Sequence, residues 1–301
     1  MTQQEHLERL PKKVRDLVLE ASDEERIEFI NRPKFIKHPK YIKLTEKLDK
    51  LLYAPKTNRI RSLLLVGNSN NGKTDMVKEY TKSKQILTDD DFIRPVIYIQ
   101  SPNRANIHEL YDSIFMDFSV PYSKSESLVE REQKIKYYCD RFERKMLIID
   151  EIQNALTGSI TKQKEFMNGI KNLSNILQIP IVLVGVPKGV NLIYNDHQLK
   201  SRFVPTKIKN WEFNNDYFSL IYAIELTLPL KKPSLVYENQ NFLENILELS
   251  DGLIGDIVTI MSLLAKKAIE NGDEKIKPSM LSQIDYIPAC EKNGEIYADE
   301  I

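Results

Sequence analysis

The residues Gly67-Asn68-Ser69-Asn70-Asn71-Gly72-Lys73-Thr74 follow the pattern G-x-x-x-x-G-K-[ST]. Such a loop turns its backbone N–H groups inward around phosphate oxygens, with glycines where a side chain would obstruct the approach. Lys73 then supplies charge to the β and γ phosphates, and the Thr74 hydroxyl is placed to bind Mg²⁺. A carboxylate pair is needed to hold the metal's water shell and polarise an attacking water. Asp150 and Glu151 close the apolar run Met146-Leu147-Ile148-Ile149 and supply that pair. Gln100 ends another apolar run, where it is placed to hydrogen-bond Glu151. Taken singly, each has a blander role: a glycine turn capping a helix, a solvated acidic strand end, an exposed glutamine. Together they lead us to expect Mg-ATP binding, with ATP and Mg²⁺ as cofactors and hydrolysis as the chemistry.

These residues need strands to deliver them. Short apolar runs bounded by turn residues or charge occur at 62–66 (SLLLV), 95–99 (PVIYI), 146–149 (MLII) and 180–186 (PIVLVGV), with a last strand near Val204 to Ile208. Runs of this kind suit strands buried on both faces of a parallel sheet. Helix-spaced apolar residues lie between them, including Ile107, Leu110, Tyr111, Ile114, Phe115 and Phe118, then Phe166, Ile170, Leu173 and Leu177. The alternation predicts an α/β fold with right-handed crossovers. After Ile208 the strand-like runs stop, and residues from about 213 to 285 have helical spacing. The expected organisation is a charged helical N-terminal segment over 1–60, an α/β core over 61–210, a small helical lid over 211–285 and a tail over 286–301.

Composition bounds the function classes. The 43 basic and 43 acidic side chains cancel, so any nucleic-acid contact must come from a local basic patch. Cys139 and Cys290 are too few for a disulfide framework and fit no zinc spacing. The first residues, MTQQEHLERLPKK, lack the apolar stretch of a signal peptide, and no run of about 18 apolar residues occurs. The expectation is a cytoplasmic protein with no membrane partner. His38, His108 and His197 form no ligand pair and are expected at the surface. Trp211, Phe213, Tyr217 and Phe218 are expected to pack at a domain junction, and Cys139 in the core.

The stretch Pro55 to Thr74, which contains Arg59-Ile60-Arg61-Ser62-Leu63-Leu64-Leu65-Val66 ahead of the glycine-rich loop, resembles TniB. TniB proteins are AAA+ ATPase subunits of transposons, related to MuB and TnsC. The resemblance extends upstream to Glu25-Arg26-Ile27 and Ile36-Lys37-His38-Pro39. Downstream it takes in LIIDEIQN (147–154), IVLVGVPKG (181–189), SRF (201–203) and LPLKKPSLV (228–236). It implies a P-loop NTPase fold of AAA+ type with a C-terminal helical lid. It also implies ATP-dependent oligomerisation as a ring or filament on double-stranded DNA, target-site selection, and recruitment of a DDE-type transposase alongside a TniQ-like protein. Carried onto this sequence, Lys73 and Thr74 take the Walker A roles, Asp150 and Glu151 the Walker B roles, and Arg202 becomes a candidate arginine finger. For Arg202 the bland alternative is a local ion pair, for example with Asp196. The loop after the second strand is where related proteins touch DNA, which singles out Arg104, with Lys124 in a later loop as a second DNA-contact candidate.

The sequence also departs from the wider AAA+ pattern. Val186 and Pro187 stand where a polar sensor commonly ends the fourth strand, and Gly252-Leu253-Ile254-Gly255-Asp256 has an acid where a lid arginine is common. Both departures remove groups that stabilise the γ-phosphate, so slow hydrolysis is expected. They keep open a nucleotide-gated scaffold with vestigial hydrolysis. A replication initiator or loader is a further alternative, although such proteins commonly carry a winged-helix domain after the lid and few residues follow it here.

Overall fold

The computed structural model describes residues 2–55, 60–88, 92–194 and 197–287. Arg59, Asp196 and Cys290 lie outside the described residues, as do the side chain of His197 and most of the 286–301 tail. The described chain divides into two compact units, one spanning Lys43–Lys209 and the other combining the residues up to Ile42 with those from Asn210 onward.

The first unit holds a five-stranded sheet made of β1 (Ser62–Gly67), β2 (Val96–Gln100), β3 (Met146–Asp150), β4 (Ile181–Gly185) and β5 (Phe203–Ile208). Every pairing is parallel and the order is β2-β3-β4-β1-β5. Burial explains the sequence patterns. β1, β3 and β4 are buried at every position, as uninterrupted apolar runs require once helices cover both faces. β5 lies at an edge and is buried only at Phe203, Thr206 and Ile208, with Val204, Pro205 and Lys207 exposed, and Pro205 is tolerated there because an edge strand has one unpaired side. The helices Ile107–Phe118, Leu128–Arg141 and Ile160–Leu177 bury Leu110, Phe115, Ile135, Phe166 and Leu173 completely in one core with Ile97, Leu147 and Leu183. Cys139 belongs to that core, and burial pushes its thiol up to about 12. A two-stranded antiparallel sheet, Ile86–Leu87 with Phe92–Ile93, was not foreseen, because its runs are too short to carry a period.

In the second unit, the helices Asn215–Glu225, Gln240–Leu249 and Ile254–Glu270 share a core that includes Tyr217, Leu243, Ile257 and Leu264. Ile30 and Ile36, from the N-terminal segment, belong to the same core. Arg26 secures that segment from a fully buried position. Its Nη1 donates to Glu274 Oε2 at 2.8 Å and to the Pro229 carbonyl at 2.9 Å, and its Nη2 donates to Glu274 Oε1 at 2.7 Å.

His38 is not a surface residue. It is 4% exposed, packed edge-on against Trp211 with ring centroids 5.3 Å apart, and its Nδ1 accepts the Tyr41 N–H at 3.2 Å. Its helix-start position between charged residues concealed an aromatic cluster assembled from distant sequence. Trp211 is buried and His108 is exposed.

Candidate functional site

β1 delivers the glycine-rich loop to the carboxyl edge of the sheet, and the helix Lys73–Ser83 leaves from it. Gly72 caps that helix in a left-handed conformation (φ 71°), and Asn70 is also left-handed (φ 58°). Gly67 is required by close approach, since a Cβ there would stand 2.7 Å from the Ile208 carbonyl at the end of β5. Asn68, Ser69 and Asn70 form the exposed outer lip of the loop, while Asn71 is buried and donates through Nδ2 to the same carbonyl at 3.2 Å. Inside the lip, Lys73 is 7% exposed and its Nζ donates to the Asn68 carbonyl at 2.7 Å. Burial holds its ammonium below the usual lysine range, against the attraction of Glu151 and Asp150. A phosphate brought to this helix N-terminus would offset that desolvation.

β3 brings the acidic pair to the same edge, with β4 alone between it and β1. Asp150 is fully buried and its oxygens are well supplied with donors. Oδ2 accepts from Thr74 Oγ1 at 2.7 Å and from Tyr98 Oη at 3.0 Å, and Oδ1 accepts the Glu151 N–H at 2.8 Å. The Thr74 hydroxyl at the end of the glycine-rich loop and the Asp150 carboxylate at the end of β3 are therefore in direct contact. Glu151 has a left-handed backbone (φ 57°, ψ 40°), uncommon for a residue with a side chain. Its carboxylate accepts from Gln153 Nε2.

Gln100 ends β2 exposed. Among the described residues, the partner that the structure gives Glu151 is thus Gln153. Tyr98 was missed because it lies inside an apolar run. The signal was present, since the two-residue period of a strand places Tyr98 and Gln100 on one face. Its hydroxyl is pushed well above the usual tyrosine range by burial and by Asp150, so it remains a donor.

Arg202 closes the helix His197–Arg202 at the opposite edge of the sheet. The next residue, Phe203, pairs with Ser62 at the start of β1, whereas Ile208 pairs with Gly67. Five residues of strand separate these levels, about 17 Å and more than an arginine side chain spans. Arg202 donates to Asn175 Oδ1 at 2.6 Å and is not brought to the P-loop of its own chain.

Arg104 is exposed in the loop after β2 and lies 3.2 Å from Glu109, a surface pair that contributes little to stability. That loop is laced to the acidic turn. The Ser101 N–H donates to the Asp150 carbonyl at 2.7 Å and the Ala105 N–H to the Thr157 carbonyl at 3.1 Å. Lys124 is exposed in a separate turn.

The residues present fit Mg-ATP: a helix N-terminus behind a glycine-rich loop, a buried lysine, and a hydroxyl and carboxylate placed together where the metal is expected.

The family model described as "Bacterial TniB protein" matches residues 26–213. No curated protein matches the chain. Among solved structures, the Aeropyrum pernix ORC2 protein in its ADPNP-ADP complexes is similar at 13% identity and a TM-score of 0.59, over 88% of this chain and 73% of that one. Cdc6p from Pyrobaculum aerophilum is similar at 17% identity and a TM-score of 0.58, over 82% and 67%. The Aeropyrum pernix ORC1 protein in complex with DNA gives 14% and 0.55, over 91% and 70%. These likenesses establish an AAA+-type P-loop NTPase architecture. Among the described residues, no helix is long and apolar enough to cross a membrane.

Proposed function

Since the chain belongs to the TniB family, we propose that it is an Mg-ATP-dependent regulator of DNA transposition, which oligomerises on duplex DNA and recruits or activates a DDE-type transposase, with a TniQ-like protein as a further partner. The observation that carries the nucleotide part is the 2.7 Å contact of Thr74 with Asp150 beside the buried Lys73. Gly67 to Thr74 bind the phosphates, Thr74 and Asp150 hold the metal, and Tyr98 fixes the Asp150 carboxylate. Bound Mg²⁺ supplies charge neutralisation at the phosphates. Glu151 acts as the base that orients water. Arg202 acts in trans, a reading supported by its place at the far edge of its own sheet.

Two features favour DNA as the surface on which the protein assembles. The loop bearing Arg104 is bonded to the turn bearing Asp150 and Glu151, which gives nucleotide and DNA contacts a shared framework. A chain of zero net charge gains affinity for DNA by repeating a few basic contacts along an oligomer, with Arg104 and Lys124 as the candidates. Fluorescence anisotropy with labelled duplexes tests this. Cooperative, salt-sensitive binding that requires ATP is expected, and binding that is non-cooperative and indifferent to nucleotide would overturn the proposal.

A further inference from the structure

The turn Ile152–Leu156 follows Glu151 directly and carries Gln153 under the end of β4. The Gln153 side chain bridges two elements there. Its Nε2 donates to the Glu151 carboxylate, and its Oε1 accepts the Val186 N–H at 3.2 Å. Val186 is the residue just past β4, where the sequence supplies no polar side chain of its own. The space is shaped for the amide. A Cβ on Gly185 would stand 2.7 Å from Gln153 Oε1, and one on Gly189 would stand 3.3 Å from its Cα and Cβ.

Glu151 needs such a partner. Its backbone is left-handed, a conformation that costs energy and persists only when the surroundings hold it. Its N–H is fixed by Asp150 and its carbonyl accepts the Asn154 N–H at 2.9 Å, which leaves the carboxylate as the part still to be oriented. An amide is suited to the task because it donates to a carboxylate while accepting from a backbone N–H, and the second bond fixes which end faces Glu151.

We infer that Gln153 is a positioning residue for Glu151, tying the carboxylate to the end of β4 and occupying the place that a polar residue at Val186 would otherwise fill. The inference rests on the nucleotide reading above. It requires that Gln153 act on turnover and not on nucleotide affinity, since it touches Glu151 and not the P-loop.

The test has two arms. In the kinetic arm, Gln153→Leu is expected to lower kcat about tenfold or more, as displaced catalytic groups do, with unchanged KM for ATP and unchanged affinity for a fluorescent ATP analogue. In the second arm, which needs no nucleotide, thermal unfolding of the single and double variants is compared at one pH. Gln153→Glu keeps an acceptor for Val186 but removes the donor to Glu151, so its Tm should fall below wild type. Glu151→Gln/Gln153→Glu restores the bond with donor and acceptor exchanged and should recover that loss. Strict additivity in the double variant would overturn the contact. If Glu151→Gln abolishes turnover while Gln153→Leu leaves kcat intact, the positioning role fails and the nucleotide reading stands. If neither changes turnover, the nucleotide reading fails and carries this inference with it.

Discussion

Replacing His38 with glutamine should change how stability depends on pH, by an amount that follows from its surroundings. Burial, with Lys40 nearby, holds the His38 pKa down to about 4, against an ordinary value of 6.5. The folded state therefore keeps the imidazole neutral, consistent with Nδ1 accepting the Tyr41 N–H, while the unfolded chain takes up a proton below pH 6.5. Stability is lost as pH falls from about 6.5 towards 4, and no more is lost once both states are protonated. Applying linkage to these two values gives a penalty of about 0.2 kcal/mol at pH 7 and about 2 kcal/mol at pH 5. Glutamine can still accept from Tyr41 but does not titrate, so the stability of His38→Gln relative to wild type should rise by about 2 kcal/mol between pH 7 and pH 5. Urea unfolding at both pH values measures this. Trp211, the single tryptophan, lies against His38 and reports the same cluster by fluorescence. Parallel stability curves for the two proteins over this interval would refute a buried neutral His38.

Arg26→Ala should destabilise its unit by about 3–5 kcal/mol, because it strips Glu274 of a buried bidentate partner; equilibrium denaturation checks this. Arg202→Ala should bind ATP normally yet assemble and hydrolyse poorly. Mixing it with Lys73→Ala should restore some turnover, and absence of rescue would return Arg202 to a local role with Asn175. Arg104→Ala should weaken duplex DNA binding across all sequences and reduce the salt slope by about one, with nucleotide affinity unchanged in parallel titrations.

The sheet was legible because its central strands are buried on both faces, which forces uninterrupted apolar runs such as Met146 to Ile149, each ending where a loop must begin. Lys73, Thr74 and Asp150 were legible for the same reason: the strand ends place them, and the chemistry fixes their types. Tyr98 and Gln153 were not, since each looks ordinary in sequence and gains meaning only from the side chain opposite, Asp150 for one and Glu151 for the other. The charge pattern of residues 1–60 predicts only a helical segment, and nothing local reveals that Arg26 pairs with Glu274, far along the chain, or that Ile30 enters the core of the C-terminal helices. His38 was misread on the same ground. Local charge described its neighbours in sequence and not the Trp211 ring against which it packs.

The central claim is that Lys73 and Glu151 serve successive steps at one nucleotide site, and ATP affinity and turnover measured together on wild type, Lys73→Ala and Glu151→Gln test it most directly. Lys73→Ala should lose affinity for Mg-ATP, whereas Glu151→Gln should bind it, retain it and fail to turn it over. Equal turnover by wild type and Glu151→Gln, or undiminished ATP binding by Lys73→Ala, would contradict the account.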